Sequence, residues 1–94
     1  MMRLKWDVAA LADVDAIGAY ISRDSPSAAK RVTAYIRVVT ENLEFSPRMG
    51  REVEGDLWRE IVLSRYPYLV SYRIEGDEVL ILAVTHQARD RPKR

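Results

Sequence analysis

The stretch from Leu57 to Thr85 constrains this chain more than any other. It holds three short apolar runs, LWREIVL, YPYLVSYRI and EVLILAVT, rich in Val, Ile, Leu and Tyr. Such residues suit a pleated, half-buried surface, and Glu75-Gly76-Asp77 between the last two runs is a tight-turn signal. The segment predicts an antiparallel meander that supplies the core of a small α+β domain. In the middle run Tyr68, Val70, Tyr72 and Ile74 share one face, and Leu69, Ser71 and Arg73 the other. In the first run Leu57, Arg59, Ile61 and Leu63 lie opposite Trp58, Glu60 and Val62. One sheet face is expected to pack on helices. The other, interrupted by Arg59 or Glu60 and by Arg73, is left as a docking surface.

The helices are legible upstream. Arg3–Trp6 alternates like a short edge strand. Asp7 is a helix N-cap, and Trp6 with Leu11 fits a hydrophobic staple. Leu11, Val14, Ile17 and Ile21 recur at helical spacing, which predicts a helix over Val8–Ser22 with Asp13, Asp15 and Gly18 on its outer, solvated face. Ser25 caps a second helix that opens with Pro26. Its stripe is Val32, Tyr35, Ile36, Val39 and Leu43, and Ser46-Pro47 stops it near Phe45. The short connection predicts an antiparallel helical hairpin. Ser46–Asp56 reads as an exposed loop. The whole is a β-α-α-β-β-β order, with the two-helix hairpin packed on a small twisted antiparallel sheet.

Composition limits the chemistry. The 94 residues suit one domain, 1–94, with a thin stability margin. There is no cysteine and one histidine, so disulfide, thiolate and ordinary zinc chemistry are not expected, nor is any other metal or cofactor. No apolar run nears the roughly 20 residues that span a bilayer, and no signal peptide is evident, so no membrane association and a cytoplasmic location are expected. The formal charge is +1, but residues 86–94 carry Arg89, Arg91, Lys93 and Arg94 against Asp90, a tail of net +3 on a body of net −2. Such a tail is a solvated end or a patch for an acidic or phosphate-bearing partner. Arg59, Arg73 and Arg89 are expected to converge on the open sheet face or to be spent on salt bridges with Glu60, Glu75 and Glu78. His86 closes the last strand. On paper, His86, Arg59 and Glu60 or Tyr66 could supply the acid, base and cation that RNA cleavage needs. A structural role for each is the simpler alternative. Tyr66-Pro67-Tyr68 marks a strand entry, and its aromatics also suit a partner surface.

The ordered set of segments carries a resemblance. A helix of the type AxxDVxxIxxYI and one opening with SPxAA are followed by FSPRMGRE, LWREIVLSRYPYLVSYRI and VLILAVTHQARD. Over Leu4–Asp90 this resembles the RelE/ParE superfamily of toxins from type II toxin–antitoxin modules, also called plasmid stabilization proteins. The resemblance implies a cognate antitoxin, ParD-like or other, whose acidic C-terminal segment wraps the toxin in a hetero-oligomer. The aromatic residues Tyr20, Tyr35, Trp58 and Tyr68 are its candidate contacts. RelE-like members cut mRNA on the ribosome, and ParE-like members poison DNA gyrase without a catalytic site. PYLVSYR and VTHQARD look more ParE-like, and LWREIVL lacks the lysines of many RelE-like strands. Gyrase is therefore the expected target, through Arg59, Tyr66, Arg73, His86, Arg89 and Arg91. Ribosome-dependent mRNA cleavage by Arg59, Glu60, Arg73 and His86 is the alternative.

Overall fold

The structure, a computed structural model, describes residues 1–55 and 57–87. Its elements are β1 (Arg3–Trp6), α1 (Val8–Ser22), α2 (Pro26–Asn42), β2 (Arg51–Val53), β3 (Trp58–Val62), β4 (Tyr68–Glu75) and β5 (Glu78–His86). The helix starts follow from their caps. The Asp7 carboxylate accepts from the Ala9 amide at 2.8 Å, and Ser25 Oγ accepts from the Ala28 amide at 3.2 Å. Pro26 then sits where a helix misses no donor.

The five strands lie in the order β1-β5-β4-β3-β2. β2 through β5 form the antiparallel meander, but β1 joins β5 in parallel, with Leu4 opposite Val79 and Trp6 opposite Ile81. The sheet is therefore mixed rather than antiparallel throughout. A period-two pattern carries no direction; a tight hairpin imposes one, and β1 is tied to the rest through two helices instead. The expected loop also holds a strand, β2, paired to β3 as Arg51 with Glu60 and Val53 with Trp58. Three residues are too few to show a pattern.

One sheet face packs against the helices around Ile36, Leu43, Val70, Tyr72, Val79 and Ile81, all essentially inaccessible. β4 and β5 shift register between Ser71 and Tyr72, so Ser71 faces Ala83 while Tyr72 faces Ile81 and Leu82 is the extra residue of a bulge. Two expectations for α1 are corrected. Asp13 is not solvated: its Oδ2 accepts from the Val84 amide at 2.9 Å. β1 ends opposite Ile81, so beyond it β5 has no strand neighbour on that side, and α1 supplies the acceptor. Gly18 is not outward either, since a Cβ there would lie 3.4 Å from Thr33 Cγ2 on α2.

The segment before β2 is anchored from inside. The buried Tyr72 hydroxyl donates to the Pro47 carbonyl at 2.7 Å and accepts from the Gly50 amide at 2.8 Å. A Cβ at Gly50 would fall 2.7 Å from the Tyr72 ring, so backbone and phenol meet with no room between them. Tyr72→Phe keeps the ring but strands the buried Gly50 amide. We expect a loss of about 1–3 kcal/mol in urea unfolding, and Gly50→Ala should destabilise as well. A Tyr72→Phe midpoint equal to that of the unaltered chain would contradict this anchoring.

Candidate functional site

α1 carries more apolar surface than its contact with the sheet requires. Val8 is 80% and Leu11 49% exposed, although Leu11 belongs to the stripe expected in the core. Leu11 lies in a groove of about 350 Å³ between α1, α2 and β1, floored by Leu4, Trp6, Val14 and Ile36. Asp15, Arg37 and Glu41 supply its charged rim. Trp6 and Leu11, the expected staple pair, line this groove together. A shallower depression continues along the helix pair past Gly18, Ala29 and Thr33, sharing Val14 and Asp15 with the groove. β1 is an outer strand. Its Arg3 and Asp7 amides donate to Asp77 and Ile81 of the β5 side, so the alternate amides of Leu4 and Trp6 point to the open edge. An apolar channel beside an open strand edge suits an extended or helical peptide.

A second depression, about 250 Å³, lies between α1 and the far end of the sheet. Asp13, Ile17, Tyr20, Tyr68, Val84 and His86 line it. The His86 ring meets the Tyr68 ring edge-on, with centroids 5.5 Å apart. Arg23 sits over the Tyr20 ring at 5.9 Å.

The remaining residues singled out from sequence are scattered. Tyr35 hydrogen-bonds Ser64 at 2.9 Å and meets Tyr66 edge-on at 5.5 Å, with the Arg65 guanidinium over its ring at 5.8 Å. Trp58 opens β3, and its indole donates to Glu60 at 3.3 Å. The four aromatics considered for a partner therefore do not share one surface: Tyr20 and Tyr68 sit beside His86, and Tyr35 and Trp58 lie elsewhere. The groove residues Leu4, Trp6, Leu11 and Val14 were not singled out as a site. The available signal was α1 itself, VAALADV, apolar on more than one face.

Of the arginines expected to converge, Arg59 and Arg73 line one small pocket at the sheet rim with Arg48, Trp58 and Ile74, although their side chains leave the strands on different faces. Arg59 shares the helix-facing side with Tyr72, its partner in the β3–β4 register, and is 7% exposed. Its Nη1 donates to the Gly50 carbonyl at 2.8 Å and the Arg48 carbonyl at 3.3 Å, and its Nη2 lies 3.6 Å from Glu52. Arg73 is on the opposite face and pairs with Glu75, not with Glu60 or Glu78. Glu60 pairs with Arg51 at 2.8 Å. Glu78 pairs with Arg3, whose guanidinium is raised above its ordinary pKa, first by the Asp77 hydrogen bond and then by the charges of Asp77 and Glu78. His86 lies opposite Tyr68, four residues along β4 from Arg59's partner, or roughly 13 Å at strand rise. His86 thus lies at the other end of the sheet from Arg59, Glu60 and Arg73, which are near one another in the β3–β4 ladder. Arg89 and Arg91 fall outside the described residues.

Comparison with known proteins gives a consistent picture. Residues 4–91 match the family described as the ParE toxin of the type II toxin–antitoxin system parDE. The protein Y4kP of Sinorhizobium fredii, whose name marks it as a toxin, is 42% identical, covering 97% of this chain and 94% of its own. Toxin RelE2 of Caulobacter vibrioides is 35% identical, covering 95% and 99%. Among solved structures, a chain of the chromosomal ParDE system of P. aeruginosa superposes with a TM-score of 0.80 at 31% identity, covering 92% of this chain and 96% of that one. A chain of the intact E. coli RelBE complex gives 0.69 at 18% identity, covering 95% and 100%, a likeness of fold.

The burial of Arg59 generates a direct test. Arg59→Met removes the donor to the Gly50 and Arg48 carbonyls, and we expect a loss of about 1–3 kcal/mol in chemical unfolding. His86→Ala should cost under about 1 kcal/mol. A reversed order would mean that Arg59 is not the structural cation its contacts describe.

Proposed function

Because the chain belongs to the ParE toxin family of type II toxin–antitoxin systems, we propose that it acts by binding and poisoning DNA gyrase rather than by cutting RNA. It is the toxin of its pair, and its antitoxin is its partner. The observation that carries the binding reading is the fate of Arg59. The cation best placed by sequence to meet a scissile phosphate is consumed by two loop carbonyls and Glu52. A phosphoryl-transfer site needs its cation, base and acid around one reacting atom. Arg59, Glu60, Arg73 and His86 do not surround any single point. A protein–protein mechanism needs only exposed, shaped surface.

The two depressions divide the labour in this proposal. The groove of Leu4, Trp6, Leu11 and Val14, with the open edge of β1, receives the antitoxin segment. The depression around Tyr20, Tyr68 and His86 faces gyrase, and the basic residues Arg89 and Arg91 of the sequence are assigned to the same contact. A gyrase target also places the protein in the cytoplasm.

Purified toxin should block gyrase supercoiling of relaxed plasmid, and induction without antitoxin should give an SOS response with filamentation. Unchanged supercoiling at excess toxin, together with prompt translation arrest in cells, would overturn the gyrase reading in favour of mRNA cleavage. Leu11→Glu, at an exposed groove position, should weaken binding of the antitoxin encoded beside the toxin at least about tenfold, since it buries a charge in an apolar contact, and should leave gyrase inhibition intact. Neutralisation undiminished by Leu11→Glu would remove the groove from the antitoxin interface.

A further inference from the structure

We propose that the segment Phe45–Met49, between α2 and β2, is a second and preorganised anchor for the antitoxin. It takes an apolar side chain of that partner against Phe45 and Met49, and a carboxylate on Arg48. Phe45 is 71% and Met49 51% exposed. Arg48, next to Met49, is exposed and makes no ion pair among the described residues. Aromatic residues, Met and Arg are the types enriched where protein interfaces close.

The segment belongs to neither α2 nor β2, yet its backbone is held throughout. The Phe45 and Ser46 amides donate to the Asn42 carbonyl at 3.1 and 3.0 Å, and the Met49 amide donates to the Ser46 carbonyl at 3.1 Å. The Pro47 carbonyl accepts from the Tyr72 hydroxyl and the Arg48 carbonyl from Arg59. Each residue from Phe45 to Met49 therefore has a backbone group in a hydrogen bond. A loop fixed before binding has little backbone freedom left to lose, so its contacts are offset by less ordering entropy. A plain connection from α2 to β2 requires no such clamp, and still less one that turns two apolar side chains to solvent.

Its place in the fold identifies the occupant. Glu41, near the end of α2, rims the groove assigned to the antitoxin, and Phe45 follows four residues later. The Met2 amide donates to the Glu44 carbonyl at 2.8 Å. That bond ties this corner to the start of β1, two residues before Leu4 of the groove floor. A segment leaving the groove between α2 and β1 passes Phe45, and for this path the inference rests on the groove reading. Arg48 then supplies the charge complementarity, since a guanidinium fork holds a carboxylate through two parallel N–H···O bonds.

The test measures association and dissociation of the full-length antitoxin encoded beside the toxin. Replacing the exposed pair together, Phe45→Ser with Met49→Ser, should keep the urea midpoint and weaken binding about tenfold or more, chiefly through faster dissociation. Arg48→Glu, which alters no apolar contact, should weaken binding by a similar factor, with slower association that added salt restores. Val62→Ser, at an equally exposed apolar position on β3, should bind as the unaltered chain does. Loop variants that bind normally would overturn the anchor, as would an equal loss at Val62. A free toxin that self-associates through Phe45 and Met49, with antitoxin binding unchanged when they are replaced, would assign the loop to a second copy instead. Weakening by the loop variants but not by Leu11→Glu would keep the anchor and remove the groove.

Discussion

The parallel ladder between β1 and β5 is the constraint on which the remaining geometry depends. It joins the two ends of the chain, Arg3–Trp6 to Glu78–Ile81, across most of the sequence. Closing so long a segment has an entropic cost that short-range hairpins avoid. Once made, the ladder settles three things. It sets α1 across the sheet, because Asp7 caps that helix directly after the last paired residue. It makes β1 an outer strand with an open edge, and it ends early enough to leave the Val84 amide for Asp13.

A second polar knot holds the opposite side. Arg59 and Tyr72 face each other across β3 and β4, and both reach the same backbone segment, Pro47 through Gly50. Burying a guanidinium is unfavourable unless every donor finds an acceptor. Here the acceptors include the Gly50 and Arg48 carbonyls, so cation and loop hold each other. This explains why a segment of Pro, Gly and charged residues is ordered enough to form β2. It also explains why an arginine that resembles a catalytic group by position is unavailable to a substrate.

A toxin neutralised by a partner has to display surface that only the partner covers. α1 has that character: it is apolar on the face that meets the sheet and on much of the face that does not. α2 separates a buried stripe at Val32, Ile36 and Thr40 from a charged exterior. The contrast between two neighbouring helices of one hairpin locates the sticky surface beside α1 and β1. Exposed apolar area of this kind is a liability for a lone chain and an asset for one held in a complex.

Local chemistry was legible in the residues themselves. Asp7 and Ser25-Pro26 mark the helix starts, Glu75-Gly76-Asp77 marks the hairpin, and the β-branched runs mark the meander, because caps, turns and pleats depend on neighbours a few residues away. The site was only partly legible. Side-chain alternation put Arg59 and Arg73 on opposite faces, yet it does not say which face the helices cover or that β1 runs parallel. Those facts come from contacts between residues tens of positions apart, and they decide that Arg59 is spent within the fold, that Asp13 caps β5, and that Leu11 lines a groove. Sequence determines what each segment can become; the packing of distant segments decides which side chains are left over for a partner.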